Sequence, residues 1–137
     1  MKFSVYIFLF ISVIRLNAQD QSIKVDSVKT SEVLELKEEM PEYQGGPQKM
    51  MEFVQKTMVY PKKEKKKKIG GLVKLKFTVD SSGDLSNIII SQTSGNENLD
   101  NEAIRIVSNM PKWKPGKQNG KPIPVLFNLP VRFNYKN

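Results

Sequence analysis

An apolar residue occupies every second position along the last part of the chain. The series comprises Ile123, Val125, Phe127, Leu129, Val131, Phe133 and Tyr135. Because a repeat of two is the repeat of a β-strand with one buried face, this segment predicts a single long strand. Proline has no N–H to give to a ladder, so Pro130 predicts that the strand lies at a sheet edge or contains a bulge. Any fold for this chain must therefore accommodate one long strand with a single buried face.

The elements before this strand alternate between helical and extended patterns. The hydrophobic spacing predicts a helix over residues 45–61, a hairpin of two strands over 73–92 and a second helix over 94–111. Gly83 is free to take a positive φ in the turn of the hairpin. The order α-β-β-α-β predicts an α+β fold, a small αββαβ domain with a three-stranded antiparallel sheet packed against two helices.

Methionines are concentrated in the first predicted helix. Met50, Val54 and Met58 repeat at helical spacing, and Met51 lies beside them. Such a stripe is typical of an ordinary core face, which we favour. It is also typical of an adaptable binding surface, because methionine side chains are flexible and polarizable.

The amino terminus has the organisation of an export signal. Lys2 provides a positive charge, residues 3–14 are almost entirely apolar, and a small residue precedes a polar stretch. Residues 1–18 therefore predict a signal peptide or, alternatively, a short signal-anchor that is retained. A helix over the apolar segment spans about 18 Å, which is short of the ~30 Å hydrocarbon core of a bilayer. Residues 19–44 are acidic and weakly patterned, which predicts a flexible spacer before a domain over 45–137.

Two residue types that support much of enzyme chemistry are missing from the sequence, which contains no histidine and no cysteine. Histidine is the commonest general base and metal ligand, so its absence excludes any triad that uses imidazole. Without cysteine there is no thiol nucleophile, disulfide, cysteine-ligated zinc or iron–sulfur cluster. The composition favours a binding module over an enzyme, and we predict no catalytic residue, no metal site and no cofactor.

A run of lysines accounts for much of the positive charge. Residues 62–68 read KKEKKKK, in a chain with a formal net charge of +8. The run is typical of a solvated loop or helix end, which we favour. It is also typical of a surface that contacts an anionic membrane. No aromatic residue lies among the lysines to stack on bases, so we predict no nucleic-acid partner.

Several short motifs follow one another in a fixed order. They are Tyr60-Pro61, Gly71, Gly83, Leu99-Asp100, Glu102-Ala103, Met110-Pro111, Trp113-Lys114-Pro115-Gly116, Asn119-Gly120 and the terminal LPVRF. With these motifs, residues 40–135 resemble the TonB C-terminal domain family. The resemblance implies an αββαβ fold, a periplasmic location and contact with TonB-dependent outer-membrane receptors in support of transmembrane transport. The complete transducers of that family have a full transmembrane helix and a long proline-rich spacer, and the chain departs from them in both respects.

The resemblance also implies where a partner binds. In the family a short receptor segment pairs with the last strand, a mode called β-augmentation. Alternatively, the strand is fully paired within the domain, or it pairs with a second copy of the chain. A different alternative is a membrane-anchored periplasmic adaptor or signalling protein that binds a non-receptor partner. Trp113 suits either an exposed anchor or a core position. The candidate partner-binding residues are Val125, Leu126, Phe127, Asn128, Leu129, Val131, Arg132 and Phe133, with Gln44 and Trp113 as further side chains.

Overall fold

The structure is a computed structural model, and it describes residues 37–135. The predicted signal segment and most of the predicted spacer lie outside these residues. No helix within 37–135 is long and apolar enough to cross a membrane. The helices are α1 (Gly46–Thr57), α2 (Lys62–Lys66) and α3 (Glu97–Ser108). The strands are β1 (Glu38–Glu39), β2 (Gly71–Val79), β3 (Leu85–Gln92), β4 (Gly116–Gln118), β5 (Lys121–Ile123) and β6 (Val125–Phe133).

Three of the strands form the central sheet, which is antiparallel and has the order β3-β2-β6. β2 and β6 pair without interruption, from Gly71 opposite Phe133 to Val79 opposite Val125. The long strand predicted at the end of the chain is therefore present as β6, and it lies at an edge of the sheet. It is shorter than predicted, because Ile123 belongs to β5 of another sheet and Tyr135 follows the end of β6. The placement at an edge agrees with Pro130, which an edge strand tolerates and a central strand does not.

The two faces of the central sheet have different surroundings. On one face, which carries the core, Val73, Leu75 and Phe77 are fully buried. Helices α1 and α3 cover this face, because each has one apolar side. The other face, here called the open face, carries exposed or half-buried residues such as Lys74 and Lys76. The core consists of Tyr43, Met50, Val54, Val73, Leu75, Phe77, Val79, Leu99, Ala103, Ile106, Val107, Trp113, Leu129, Val131 and Phe133.

Helix α3 begins at a terminus that polar side chains fix to the end of β3. The side-chain oxygen of Asn96 accepts a hydrogen bond of 3.1 Å from the N–H of Leu99, which caps the helix. Asp100 in the first turn accepts hydrogen bonds from Thr93 and Ser94. Burial by itself raises the pKa of Asp100, but these hydrogen bonds outweigh it and hold the pKa below its ordinary value. Asp100 therefore carries its charge at the positive end of the helix dipole.

The predicted α+β fold class is confirmed, and the structure adds two elements to it. One is α2, a short helix within the lysine run. The other is a small antiparallel sheet with the order β1-β4-β5, in which Glu38 lies opposite Gln118. Tyr43 is also buried in the core. The ordered domain therefore begins before the predicted boundary at Gly45. The sequence did not indicate this start, because a strand of two residues leaves no recognisable pattern.

Candidate functional site

The candidate site is the free edge of β6. One edge of β6 pairs with β2, and no strand within residues 37–135 pairs with the other. In an antiparallel ladder, successive residues direct their N–H and C=O groups alternately toward and away from the neighbouring strand. Pro130 lies opposite Lys74 in an uninterrupted register, and without an N–H it must occupy a position that faces away from β2. The even-numbered residues of β6 therefore direct their backbone polar groups to the free edge.

The free edge presents a short row of hydrogen-bonding groups. Its N–H donors belong to Leu126, Asn128 and Arg132, and each of these residues also offers its carbonyl oxygen. Pro130 contributes a carbonyl oxygen and no donor. An extended peptide laid along this edge can pair with the row as a fourth strand of the central sheet.

The side chains of β6 divide between the two faces of the sheet. Leu126, Asn128 and Arg132 are exposed on the open face, and 61% of the surface of Leu126 is accessible. The remaining candidate residues of the strand have buried or half-buried side chains and support the edge from the core side. These residues are Val125, Phe127, Leu129, Val131 and Phe133.

A groove lies beside the free edge, between α1 and β6. Met51, Gln55 and Met58 line it from the helix, and Pro130 and Arg132 line it from the strand. Much of Met51 is exposed here. The groove is placed to receive side chains of a strand added to β6, and methionine adapts well to side chains of different shapes. The methionine stripe is therefore divided, since Met50 and Val54 are buried in the core whereas Met51 and Met58 line the groove.

The end of α1 that lines the groove is tied to α3. Arg105 donates a hydrogen bond of 2.6 Å to the carbonyl oxygen of Thr57, and Glu102 accepts one of 2.7 Å from the N–H of Val59. Arg105 and Glu102 also form an ion pair with a distance of 2.7 Å between Nη2 and Oε1. Burial raises the pKa of Glu102, but the hydrogen bonds from Arg105 and Val59 outweigh it and lower the pKa overall. At neutral pH an ionised pair therefore holds the helical wall of the groove in place.

Trp113 lies in the core and not in the groove. Only 2% of its surface is exposed, and its ring packs edge-on against Phe127 and Phe77 with centroid distances of 4.8 and 5.5 Å. Its indole N–H has no hydrogen-bond acceptor among the residues that the structure describes, so packing alone holds the ring. Of the two alternatives for Trp113, the structure supports the core position. The residue acts on the site indirectly, because it holds β6 through Phe127.

Gln44 is exposed in the turn before α1 and does not line the groove. It borders a separate depression together with Lys49 and Glu52. The structure therefore brings neither Gln44 nor Trp113 together with the exposed residues of β6. Sequence reasoning placed no groove residue from α1 among the candidates, although Met51 gave a signal through the methionine stripe.

The chemistry available at this site is that of backbone pairing and apolar contact. Within residues 37–135 no group of three or more histidine, cysteine, aspartate and glutamate side chains is placed to hold a metal ion. The free edge supplies directional hydrogen bonds, and the groove supplies an apolar surface beside it. Such a combination suits an extended peptide, since alternate side chains of the peptide face the groove while its backbone pairs with the edge.

Comparison with known proteins identifies relatives of this domain. The sequence model of the family described as Gram-negative bacterial TonB protein C-terminal matches residues 56–135. Protein TonB of Pasteurella multocida (strain Pm70) is 33% identical over 79 residues, which make up 56% of this chain and 31% of that protein. The chain therefore aligns with less than a third of the length of that relative.

Two solution structures of the Helicobacter pylori TonB C-terminal domain share the fold. A longer form has a TM-score of 0.51 and a shorter form one of 0.53, each at 19% sequence identity. The similarity covers 66% of this chain in both cases, and 80% and 94% of the two relatives. The family match extends over more than half of the chain, and the fold agrees with it. The chain belongs to the TonB C-terminal domain family.

Proposed function

We propose that this chain is a periplasmic protein-binding module that contacts TonB-dependent outer-membrane receptors in support of transmembrane transport. An extended receptor segment adds to the free edge of β6 by β-augmentation. The observation that carries this proposal is the uninterrupted register of β6, which aims the N–H groups of Leu126, Asn128 and Arg132 outward beside an apolar groove. Membership of the TonB C-terminal domain family supports the class of partner, and the predicted export signal supports the location.

The two parts of the site divide the work of recognition. Backbone groups on the free edge provide affinity for extended chains of many sequences. The groove provides selectivity, because Met51 and Met58 favour apolar side chains there while Arg132 favours an acidic neighbour at its end. The domain acts as a binding module, and no step of the proposed function needs a catalytic group.

A photo-crosslinking experiment in the native envelope tests this proposal. A photoreactive amino acid replaces Leu126 on β6 or, as a matched control, Ile89 on β3. The two positions are similarly exposed, at 61% and 54%, and both lie on the open face of the central sheet. Only the Leu126 probe adjoins the proposed docking edge.

The proposal expects the Leu126 probe to capture a TonB-dependent receptor, with the adduct confined to one contiguous receptor segment. The Ile89 probe should capture little or none of that receptor. Equal capture by both probes contradicts docking at β6. A second copy of the chain as the main product at Leu126 supports self-pairing instead. An inner-membrane protein as the main product supports the adaptor alternative.

A further inference from the structure

A second surface lies apart from the free edge of β6, on α2 and the turn that follows it. It consists of six lysines and is here called the lysine surface. All six side chains are exposed, and none lies within 4.0 Å of a carboxylate in residues 37–135. The lysines are Lys62, Lys63, Lys65, Lys66, Lys67 and Lys68.

The one acidic residue of this segment turns away from solvent. Glu64 is only 5% exposed, and its Oε1 accepts a hydrogen bond of 2.6 Å from the side chain of Asn98 and one of 3.3 Å from Asn96. The hydrogen bond from Asn98 is the main cause that lowers the pKa of Glu64, so the carboxylate is ionised at neutral pH. Because Glu64 faces inward, the outward face of α2 carries lysine alone.

The chain on both sides of α2 is also fixed. The hydroxyl of Tyr60 donates a hydrogen bond of 2.6 Å to the carbonyl oxygen of Ile69, which brackets the segment. The Tyr60 ring packs edge-on against Phe133 at a centroid distance of 5.9 Å. The N–H of Ile69 also bonds to the carbonyl oxygen of Glu64 at 2.9 Å. These contacts hold the lysines at one end of the central sheet, where Lys68 and Arg132 line the same depression.

The composition of the lysine surface indicates the kind of partner. Cores of protein–protein interfaces are rich in aromatic residues and poor in lysine, and this surface has lysine only. Single-stranded nucleic acids need aromatic side chains for stacking, which are also missing from the run. Lysine is a compact point charge that pairs with phosphate without a fixed geometry. Clusters of four to eight basic residues of this kind are typical of surfaces that bind anionic lipids.

We propose that the lysine surface binds the phosphate groups of an anionic phospholipid membrane. This inference goes beyond receptor contact, since it concerns a different face of the domain and a different class of partner. The burial of Glu64 is consistent with lipid binding, because a carboxylate exposed among the lysines would repel the lipid phosphates. The domain would then lie with one end of its central sheet against the membrane.

Vesicle co-sedimentation of the full chain tests the proposal. One set of vesicles contains equal parts of phosphatidylglycerol and phosphatidylcholine, and the other contains phosphatidylcholine alone. The pure phosphatidylcholine vesicles measure any insertion of the apolar segment 3–14, which does not depend on anionic lipid. The test variant combines K62Q, K63Q, K66Q and K67Q. The matched control combines K112Q, K114Q, K117Q and K121Q, which removes the same charge elsewhere.

We expect the unaltered chain to prefer the anionic vesicles, and the test variant to lose at least about tenfold in affinity for them. The control variant should lose less than about threefold, through net charge alone. Equal losses in the two variants contradict a localised surface, and no preference for anionic vesicles contradicts lipid binding altogether. Inorganic phosphate should not compete at about 10 mM, since a surface of many weak contacts needs an array of phosphates. Complete competition would assign the lysines to a site for free phosphate and overturn the proposal.

Discussion

The two edge strands of the central sheet, β3 and β6, differ in how regularly they are built. β6 pairs with β2 through nine consecutive residue pairs. β3 pairs with the same strand in a register that shifts twice, once between Lys74 and Leu75 and once between Lys76 and Thr78. Asn87 in β3 also has a positive φ of 51°, which departs from strand geometry. One edge is therefore regular and the other is broken.

The difference shows which edge is suited to accept another strand. Bulges bend a strand and turn its hydrogen-bonding groups out of line, and proteins commonly protect an edge in this way. β3 has two such irregularities in its pairing with β2. β6 pairs with β2 without such irregularities, and the row of groups on its free edge is incomplete only where Pro130 has no N–H. The regular edge also has an apolar groove beside it, so β6 is better suited than β3 to accept an added strand.

We expect the largest effect at Trp113, because its large ring is buried against Phe127 of β6 and Phe77 of β2. Truncation of a large buried aromatic side chain costs about 3–5 kcal/mol of unfolding free energy. Trp113→Ala should therefore lower the denaturation midpoint strongly. Hydrogen exchange should become faster at Phe127 and its neighbours in β6 than in β3.

Two further variants establish that this effect comes from the core. Trp113→Phe keeps an aromatic ring and should retain most of the stability. Tyr135 is an aromatic residue that is 43% exposed, so Tyr135→Ala should cost less than about 1 kcal/mol. A similarly small loss in Trp113→Ala, or an equal change of exchange in both edge strands, would refute the assignment of Trp113 as the support of β6.

The second prediction concerns the far end of β3, which Asp100 ties to α3. Hydrogen bonds to a charged acceptor contribute about 1.5–3 kcal/mol, so Asp100→Asn should lower the unfolding free energy by about 2 kcal/mol at pH 7. The pKa of Asp100 is depressed in the folded state. Its stabilisation is therefore present above the pKa of the unfolded chain, near 4, and is lost as the pH falls through the lower pKa of the folded state.

Unfolding measured between pH 7 and pH 2 tests this expectation. The difference between the unaltered chain and Asp100→Asn should shrink below about pH 4, as the aspartate becomes protonated. Asp84 provides the control, since it is 55% exposed and its distance to Lys112 is 3.6 Å. Asp84→Asn should change stability by less than about 0.5 kcal/mol. A difference for Asp100→Asn that stays constant down to pH 2 would argue against a charge-based role.

The place and orientation of β6 could be predicted from the sequence, but the irregular pairing of β3 could not. The alternation from Val125 to Phe133 predicted the buried face of β6, and Pro130 indicated an edge, whereas Ile123 and Tyr135 lie outside the strand. The even-numbered position of Pro130 in the strand carries further information. It shows that even-numbered residues face the free edge, so that proline at Leu126 spares the ladder whereas proline at Val131 would break it.

Other features could not be predicted, because they depend on residues far apart in the chain. The run KKEKKKK has no apolar pattern, and Glu64 is buried only because Asn96 and Asn98 approach it from α3. β1 exists because β4 lies beside it. Local sequence patterns do not indicate such contacts, so these parts of the fold are known only from the structure.

The third prediction uses the outward-facing N–H of Leu126 to separate the contributions of backbone and side chain to binding at the proposed docking edge. Leu126→Pro removes an outward N–H and places a ring where an added strand would lie, while the ladder to β2 stays intact. Binding of the receptor captured at Leu126 should weaken about tenfold. Leu126→Ala keeps the N–H and should weaken binding by no more than about threefold. Equal losses would show that the side chain, and not the backbone, makes the contact.

The smallest effect belongs to Pro130, and it distinguishes receptor binding from self-pairing. Pro130→Ala restores one N–H to the free edge, and one net hydrogen bond strengthens pairing with a receptor segment about threefold. A symmetrical pair of two β6 strands contains this position twice, so self-association should rise about ninefold. Receptor titration and sedimentation equilibrium measure the two gains separately. If neither changes, Pro130 does not face the docking edge. If both change as expected, Pro130 weakens pairing between copies more than it weakens pairing with a receptor, and so favours the receptor.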